Sequence, residues 1–152
     1  MADELSYLSK KYGNYSFVAA NYSKGMQYGS NSTTNVVISP QFLFKMANDA
    51  ELEKEYEENI AAMRKLDEEF AAQQASIDWR VEQGWAIDKY GGISKWIIGH
   101  KGLDAKRQAD REEKRKLQEE LEEAGKEQFG DKWKGVVVIN KIRLFPKMIR
   151  IT

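Results

Sequence analysis

The sequence predicts an α+β fold: a small antiparallel sheet around a central β-hairpin, packed by an amphipathic helix, with a long charged helix alongside. Three observations carry this expectation. Leu52, Tyr56, Ile60, Met63, Leu66 and Phe70 recur at steps of four, four, three, three and four, which is one face of a helix. The run GWAIDKYGGISKWIIGHK sets Gly91-Gly92 between two stretches rich in aromatic and β-branched residues. After it the chain turns to the charged LDAKRQADREEKRKLQEELEEAGK and then to the β-branched GVVVINKIRLF.

Each element has local signals. A first helix is expected over Asp3 to Tyr12, with Asp3 as N-cap, Leu5, Leu8 and Tyr12 on one face and Gly13 as the stop. NYSFVAANY reads as a short strand, and SKGMQYGSNSTT as a loop dense in Gly, Ser and Asn. NVVI is a strand ended by Ser39-Pro40. Proline suits the first helical position because its missing N–H would be unpaired there anyway, and Ser39 precedes it as the cap. A short helix then places Phe42, Leu43 and Met46 inward. Asn48 is the expected N-cap of the striped helix over 49–75, with Glu51 at the third position of a capping box.

A two-residue turn at Gly91-Gly92 fixes a hairpin register over 85–98. It pairs Asp88 with Lys95, Ile87 with Trp96 and Trp85 with Ile98, so Trp85, Ile87, Trp96 and Ile98 share one face. The charged helix has a thin apolar stripe (Ala105, Ala109, Leu117, Leu121, Ala124), and its glutamates crowd the end, against the macrodipole. It is expected to lean thinly on the body, to fray or to await a partner, and self-association through it would give a homodimer. The C-terminal run reads as a strand added to the hairpin sheet, interrupted at Pro146. Together these make one domain over 1–152: a core region 1–100, the charged helix 101–127 and a strand-like tail 128–152.

Composition narrows the chemistry. The 152 residues include no cysteine and one histidine, His100, which excludes disulfides and thiolate metal sites and makes zinc improbable. No apolar run approaches a membrane span and no signal-peptide core precedes the first helix, so a cytoplasmic protein without membrane contact is expected. Net charge is zero but segregated: acids outnumber bases by six over 49–69, and bases outnumber acids by five over 126–152. No nucleophile elbow, phosphate loop, dinucleotide fingerprint, zinc-binding helix motif or calcium loop occurs. The expectation is no enzyme and no cofactor.

Binding features are more numerous. Tyr22, Tyr28 and Tyr90 are loop aromatics of the kind that anchor protein interfaces, because each covers large area at low entropic cost. Lys132, Trp133, Lys134, Lys141, Arg143, Lys147 and Arg150 form a basic tail with an interleaved aromatic, the pattern of a nucleic-acid contact.

The phrases TNVVISPQFLFKMANDAELEKEYEENI and GWAIDKYGGISKW, with YLSKKYG before them, resemble a family of small bacterial proteins of Firmicutes type, a domain of unknown function. The resemblance covers roughly residues 5–100 and implies a bacterial source with no assigned activity. The expected function is a non-enzymatic protein-interaction module. The alternatives are a mobile-element-type modulator of nucleic-acid machinery acting through the basic tail, and a small hydrolase around His100.

Overall fold

The computed structural model describes residues 2–13, 15–22, 34–75, 80–101 and 107–142. Helix α1 (Ala2–Lys11) leads into strand β1 (Tyr15–Ala19). Strand β2 (Thr34–Ile38) is followed by α2 (Pro40–Ala47) and α3 (Ala50–Ala75). Strands β3 (Arg80–Ile87) and β4 (Ile93–Lys101) form the hairpin. Helix α4 (Arg107–Phe129) and a single 3₁₀ turn then precede β5 (Trp133–Ile142).

The α+β class stands, and the sheet differs from the expected antiparallel one. Its order is β1-β2-β3-β4-β5, and only β3 and β4 are antiparallel; the other three neighbouring pairs are parallel. Parallel neighbours need long crossovers, and the chain supplies them: α2 and α3 lie between β2 and β3, and α4 lies between β4 and β5. Both crossovers step one strand the same way across the sheet and pack on the same face, yet β2 and β4 run in opposite directions. They are therefore of opposite hand, so one of them is left-handed, the rare sense for such a connection.

The hairpin register also differs. Trp85 pairs with Lys95, Gly84 with Trp96 and Ile87 with Ile93, a shift of three from the two-residue-turn register. The physical reason is Asp88. Its Oδ1 accepts from the backbone N–H of Tyr90 at 2.8 Å and of Gly92 at 2.7 Å, so Asp88 belongs to a five-residue loop rather than to a strand. Of the Gly91-Gly92 pair, only Gly91 takes positive φ, +86°. An odd shift exchanges faces. Trp85, Ile87, Ile93, Lys95 and Ile97 look toward the helices, while Ala86, Ser94 and Trp96 look away.

The helix-facing layer is the main core. Val36, Ile38, Trp85, Ile87, Ile93 and Ile97 meet Leu8 of α1, Phe42, Leu43 and Met46 of α2, and the whole α3 stripe from Tyr56 to Phe70. The α2 and α3 stripes are as expected. The boundary between them moves by one residue: Asn48 ends α2, its side-chain amide donating to the Phe44 carbonyl at 2.8 Å. Asp49 is the N-cap of α3, accepting from the N–H groups of Glu51 and Leu52 at 3.1 and 3.2 Å. Likewise α1 begins at Ala2, so Asp3 lies within the helix rather than capping it. Helix α4 buries Leu117, Leu121 and Phe129, with Ala124 partly buried against the same core; Ala105 lies outside the described residues. Gly130, at φ +57°, ends it. The tail strand pairs in parallel with β4 as an added strand; residues 23–33, 76–79, 102–106 and everything past 142, Pro146 included, lie outside the described residues.

One buried acid bears on stability. Glu4 is 5% exposed and its Oε2 has no hydrogen-bond partner among the described residues. Burial first, then the neighbouring Glu53 and Glu57 of α3, push its pKa up to about 7 from 4.5. Lys11 and Tyr7 engage Glu57 beside it. A carboxyl whose pKa is raised by folding stabilises the folded state most when protonated, so the docking of α1 should weaken as pH rises from about 4.5 through about 7. Glu4→Gln is expected to flatten that slope and to be the more stable protein above neutrality. Urea midpoints measured across this range check it; an unchanged slope would place Glu4 in water.

Candidate functional site

Inside the helix-facing layer lies a buried charge. Lys95 has no solvent exposure and is flanked in β4 by Ile93 and Ile97. Its Nζ donates to Asp67 Oδ1 of α3 at 2.9 Å and to Gln83 Oε1 at 3.0 Å, and sits 4.5 Å from the Trp85 ring centroid. Asp67 also accepts from the Trp85 indole at 3.0–3.1 Å and from the Tyr15 hydroxyl at 2.9 Å. Burial and the adjacent Asp67 carboxylate raise the Tyr15 pKa, so its phenol stays a donor. The network joins β1, β3, β4 and α3. Its groups are engaged with one another, which suits a keystone of the fold better than a binding site. The sequence placed Lys95 against Asp88 on the outer face; the register shift moves it inside.

The sheet face away from the described helices opens differently. Beyond β1, Ala20 N–H still bonds the Ile38 carbonyl at 3.0 Å, and Tyr22 then stacks over Trp96 on that face, with centroids 6.1 Å apart and planes at 19°. Strand β2 runs parallel to β1 but leaves through Ser39-Pro40 into α2, on the helix side. Two neighbouring parallel strands thus send their chains to opposite faces. Such a divergence opens a crevice at the carboxyl ends of the strands, where sheets of this kind bind ligands. The crevice here measures about 460 Å³ and is lined by Asn21, Tyr22, Gln41, Ala86, Asp88, Lys89, Tyr90 and Ser94.

Its lip is held firmly. Tyr56 donates to the Gly91 carbonyl at 2.6 Å, and Lys45 reaches the Lys89 carbonyl at 3.4 Å, so α3 and α2 both brace the hairpin loop. Burial pushes the Tyr56 hydroxyl up to about 12, keeping it protonated as the donor. Tyr90 stands 79% exposed at the tip, with the Lys89 ammonium 5.2 Å from its ring centroid. A larger concavity, about 630 Å³, follows the outside of α4, but its lining is Arg115, Gln118 and four glutamates, and Arg115 is already paired with Glu112 and Glu119. Among the described residues it holds no aromatic anchor.

Gly84 ties the two faces together. It lies opposite Trp96, and a Cβ there would collide with the indole and with the Asn35 carbonyl of β2. Backbone cannot yield as a side-chain end can, so Gly84→Ala is expected to cost about 1–3 kcal/mol by overpacking. Thermal unfolding of the variant measures it; a neutral result would contradict the close approach.

Residues 2–136 match the family described as "Protein of unknown function (DUF6033)". The chain belongs to this family. The matched span contains the described residues that line the crevice and the Lys95–Asp67 network. No curated protein and no solved structure matches the chain.

Of the aromatics singled out in the sequence, Tyr22 and Tyr90 meet at the crevice, while Tyr28 lies outside the described residues. The basic tail is divided. Lys132 pairs with Glu55 of α3 at 2.8 Å, so the two charge poles meet inside the molecule. Trp133 is half-buried, stacked on Phe129 at 5.9 Å, and donates to Glu122 Oε1 at 3.0 Å. Lys134 is exposed. Lys141 stands in β5 opposite His100 of β4, while Arg143, Lys147 and Arg150 lie outside the described residues. Asn21, Gln41, Lys89 and Ser94 went unnoticed in the sequence. Asp88-x-x-Gly-Gly was the available signal, since an Asp four residues before a glycine favours a side-chain-capped loop over a two-residue turn.

Among the described residues, no group of three or more His, Cys, Asp or Glu is arranged to hold a metal ion, and no helix is long and apolar enough to cross a membrane.

Proposed function

We propose that this protein is a binding module, and that the crevice at the carboxyl ends of β1, β2 and β3 is where it takes hold of another protein. One observation carries the reading: Tyr90 is 79% exposed on a loop braced from two helices, beside a crevice that also contains Tyr22. An exposed aromatic normally costs solubility without benefit, whereas a pre-positioned one loses little entropy when a partner covers it. Scattered exposed apolar residues are ordinary, and Phe44 on α2 is one; the difference at Tyr90 is the adjoining cavity and its polar rim. The reading needs no reaction and assigns none.

Capture from lysate by tagged wild type and tagged Tyr90→Ala tests it, with nuclease treatment in both arms. A protein partner that survives nuclease and falls at least about tenfold in the variant supports the module, as removal of an anchor should. Equal recovery with both proteins would move the interface away from the crevice. Partners lost only on nuclease treatment would favour the nucleic-acid reading.

A further inference from the structure

The loop that carries Tyr90 also gathers cations, and they name the chemistry of the partner; this step rests on the binding-module reading. Lys45 of α2 brings its Nζ to 3.4 Å from the Lys89 carbonyl. The Lys89 ammonium stands 5.2 Å from the Tyr90 ring centroid. The stem of Lys134, from β5, lies across Gly92, where an added Cβ would meet its Cε at 2.8 Å. All three lysines are exposed, and among the described residues none has a carboxylate within ion-pair distance. A fourth, Lys132, stands 5.7 Å from the Tyr56 ring and is already paired with Glu55. The acid of the loop itself is Asp88. One of its oxygens is held by two loop N–H groups, and the other lies against Gly92 beside the Lys134 stem. On this loop, unpaired cations therefore outnumber carboxylates.

We infer that this rim docks an acidic segment of the partner protein, with carboxylates set against Lys45, Lys89 and Lys134 and an uncharged side chain on the Tyr90 ring. A positive patch steers an acidic segment into contact and rejects a basic one, since like charges brought together are costly. The lysines are also partly placed in advance. The Lys89 carbonyl, the Tyr90 ring and Gly92 each hold one of them at the loop, so less side-chain freedom is lost when carboxylates arrive. Nucleic acid fits less well, because every nucleotide of a strand carries a phosphate and Asp88 stands among the lysines. A peptide can leave an uncharged residue opposite Asp88. Its spaced acids suit separate ammonium point charges better than a continuous run of phosphates does.

Fluorescence anisotropy tests this with a labelled peptide of repeating Glu-Gly-Leu against its Gln-Gly-Leu counterpart. The proteins are wild type, the triple variant with Lys45→Glu, Lys89→Glu and Lys134→Glu, and the matching triple arginine variant. All three positions are exposed, and far-ultraviolet circular dichroism checks that the variants fold. The expected result is glutamate-peptide binding at least about tenfold tighter than glutamine-peptide binding at about 50 mM salt, with most of that margin gone at about 500 mM. The arginine variant should keep the margin and the glutamate variant should lose it. Equal affinity for the two peptides overturns the proposal, as does a margin that the glutamate variant retains. Single-stranded oligothymidylate that binds wild type more tightly than the glutamate peptide, and is lost in the glutamate variant, would overturn it in favour of nucleic acid. If Tyr90→Ala abolishes partner capture while the glutamate variant captures as wild type does, the acidic class falls and the binding module stands.

Discussion

Replacing Asp67 by alanine is expected to destabilise the protein by about 3–5 kcal/mol, because it leaves the Lys95 ammonium fully buried with only the Gln83 amide oxygen and the Trp85 ring for company. The Trp85 indole and the Tyr15 hydroxyl lose their acceptor in the same step. Lys95→Met should cost much less. Asp67 keeps two of its donors, and its side chain, 13% exposed, retains some contact with water. The double variant Asp67→Ala, Lys95→Met should then be more stable than Asp67→Ala alone, since the orphaned charge has gone. Urea unfolding of the three variants gives the cycle. Additive losses would mean that the ammonium reaches solvent and that the network does not anchor the sheet to α3.

Trp96→Ala carries the second large expectation, about 3–5 kcal/mol for emptying a site that is 1% exposed. The partner that shares the loss discriminates between registers. Trp96 stacks with Tyr22 on the face away from the described helices, while Trp85 packs with Phe129 and Trp133 on the other. Trp96→Ala and Tyr22→Ala should therefore couple in a double-mutant cycle, and Trp96→Ala and Trp85→Ala should be close to additive across the sheet. Coupling between the two tryptophans would restore the two-residue-turn register, in which they share a face.

These two cases also show what could be read before the structure. The helical stripes of α2 and α3 were legible because a 3.6-residue period records, on one segment alone, which side is buried. Strand direction was not legible. Val36, Val37 and Ile38 are all buried, so β2 has no alternation that names a face, and nothing local states whether a neighbour runs parallel to it. The hairpin was visible and its register was not, because a tempting Gly-Gly pair competed with the quieter capping by Asp88. That one choice carried Trp96 to the wrong face and Lys95 to the surface. The helix α4 looked poorly attached because its charges outnumber its apolar residues, yet Leu117, Leu121 and Phe129 suffice to seat it.

The candidate site was half legible for the same reason. Loop aromatics mark themselves by type, so Tyr22 and Tyr90 stood out. The crevice between them depends on two chain segments leaving parallel strands in opposite directions, a property of topology that no single segment encodes. The contacts of Trp133 with Phe129 and Glu122 likewise join chain segments that no single stretch shows together.

The most direct test of the crevice is site-specific photocrosslinking in native lysate. A photoreactive phenylalanine analogue is placed at position 90 and, as a control, at position 123 on the exposed side of α4. The account predicts a discrete protein adduct from position 90 and none of that mass from position 123. An adduct at position 123 with none at position 90 would contradict it and transfer the interaction surface to the charged helix.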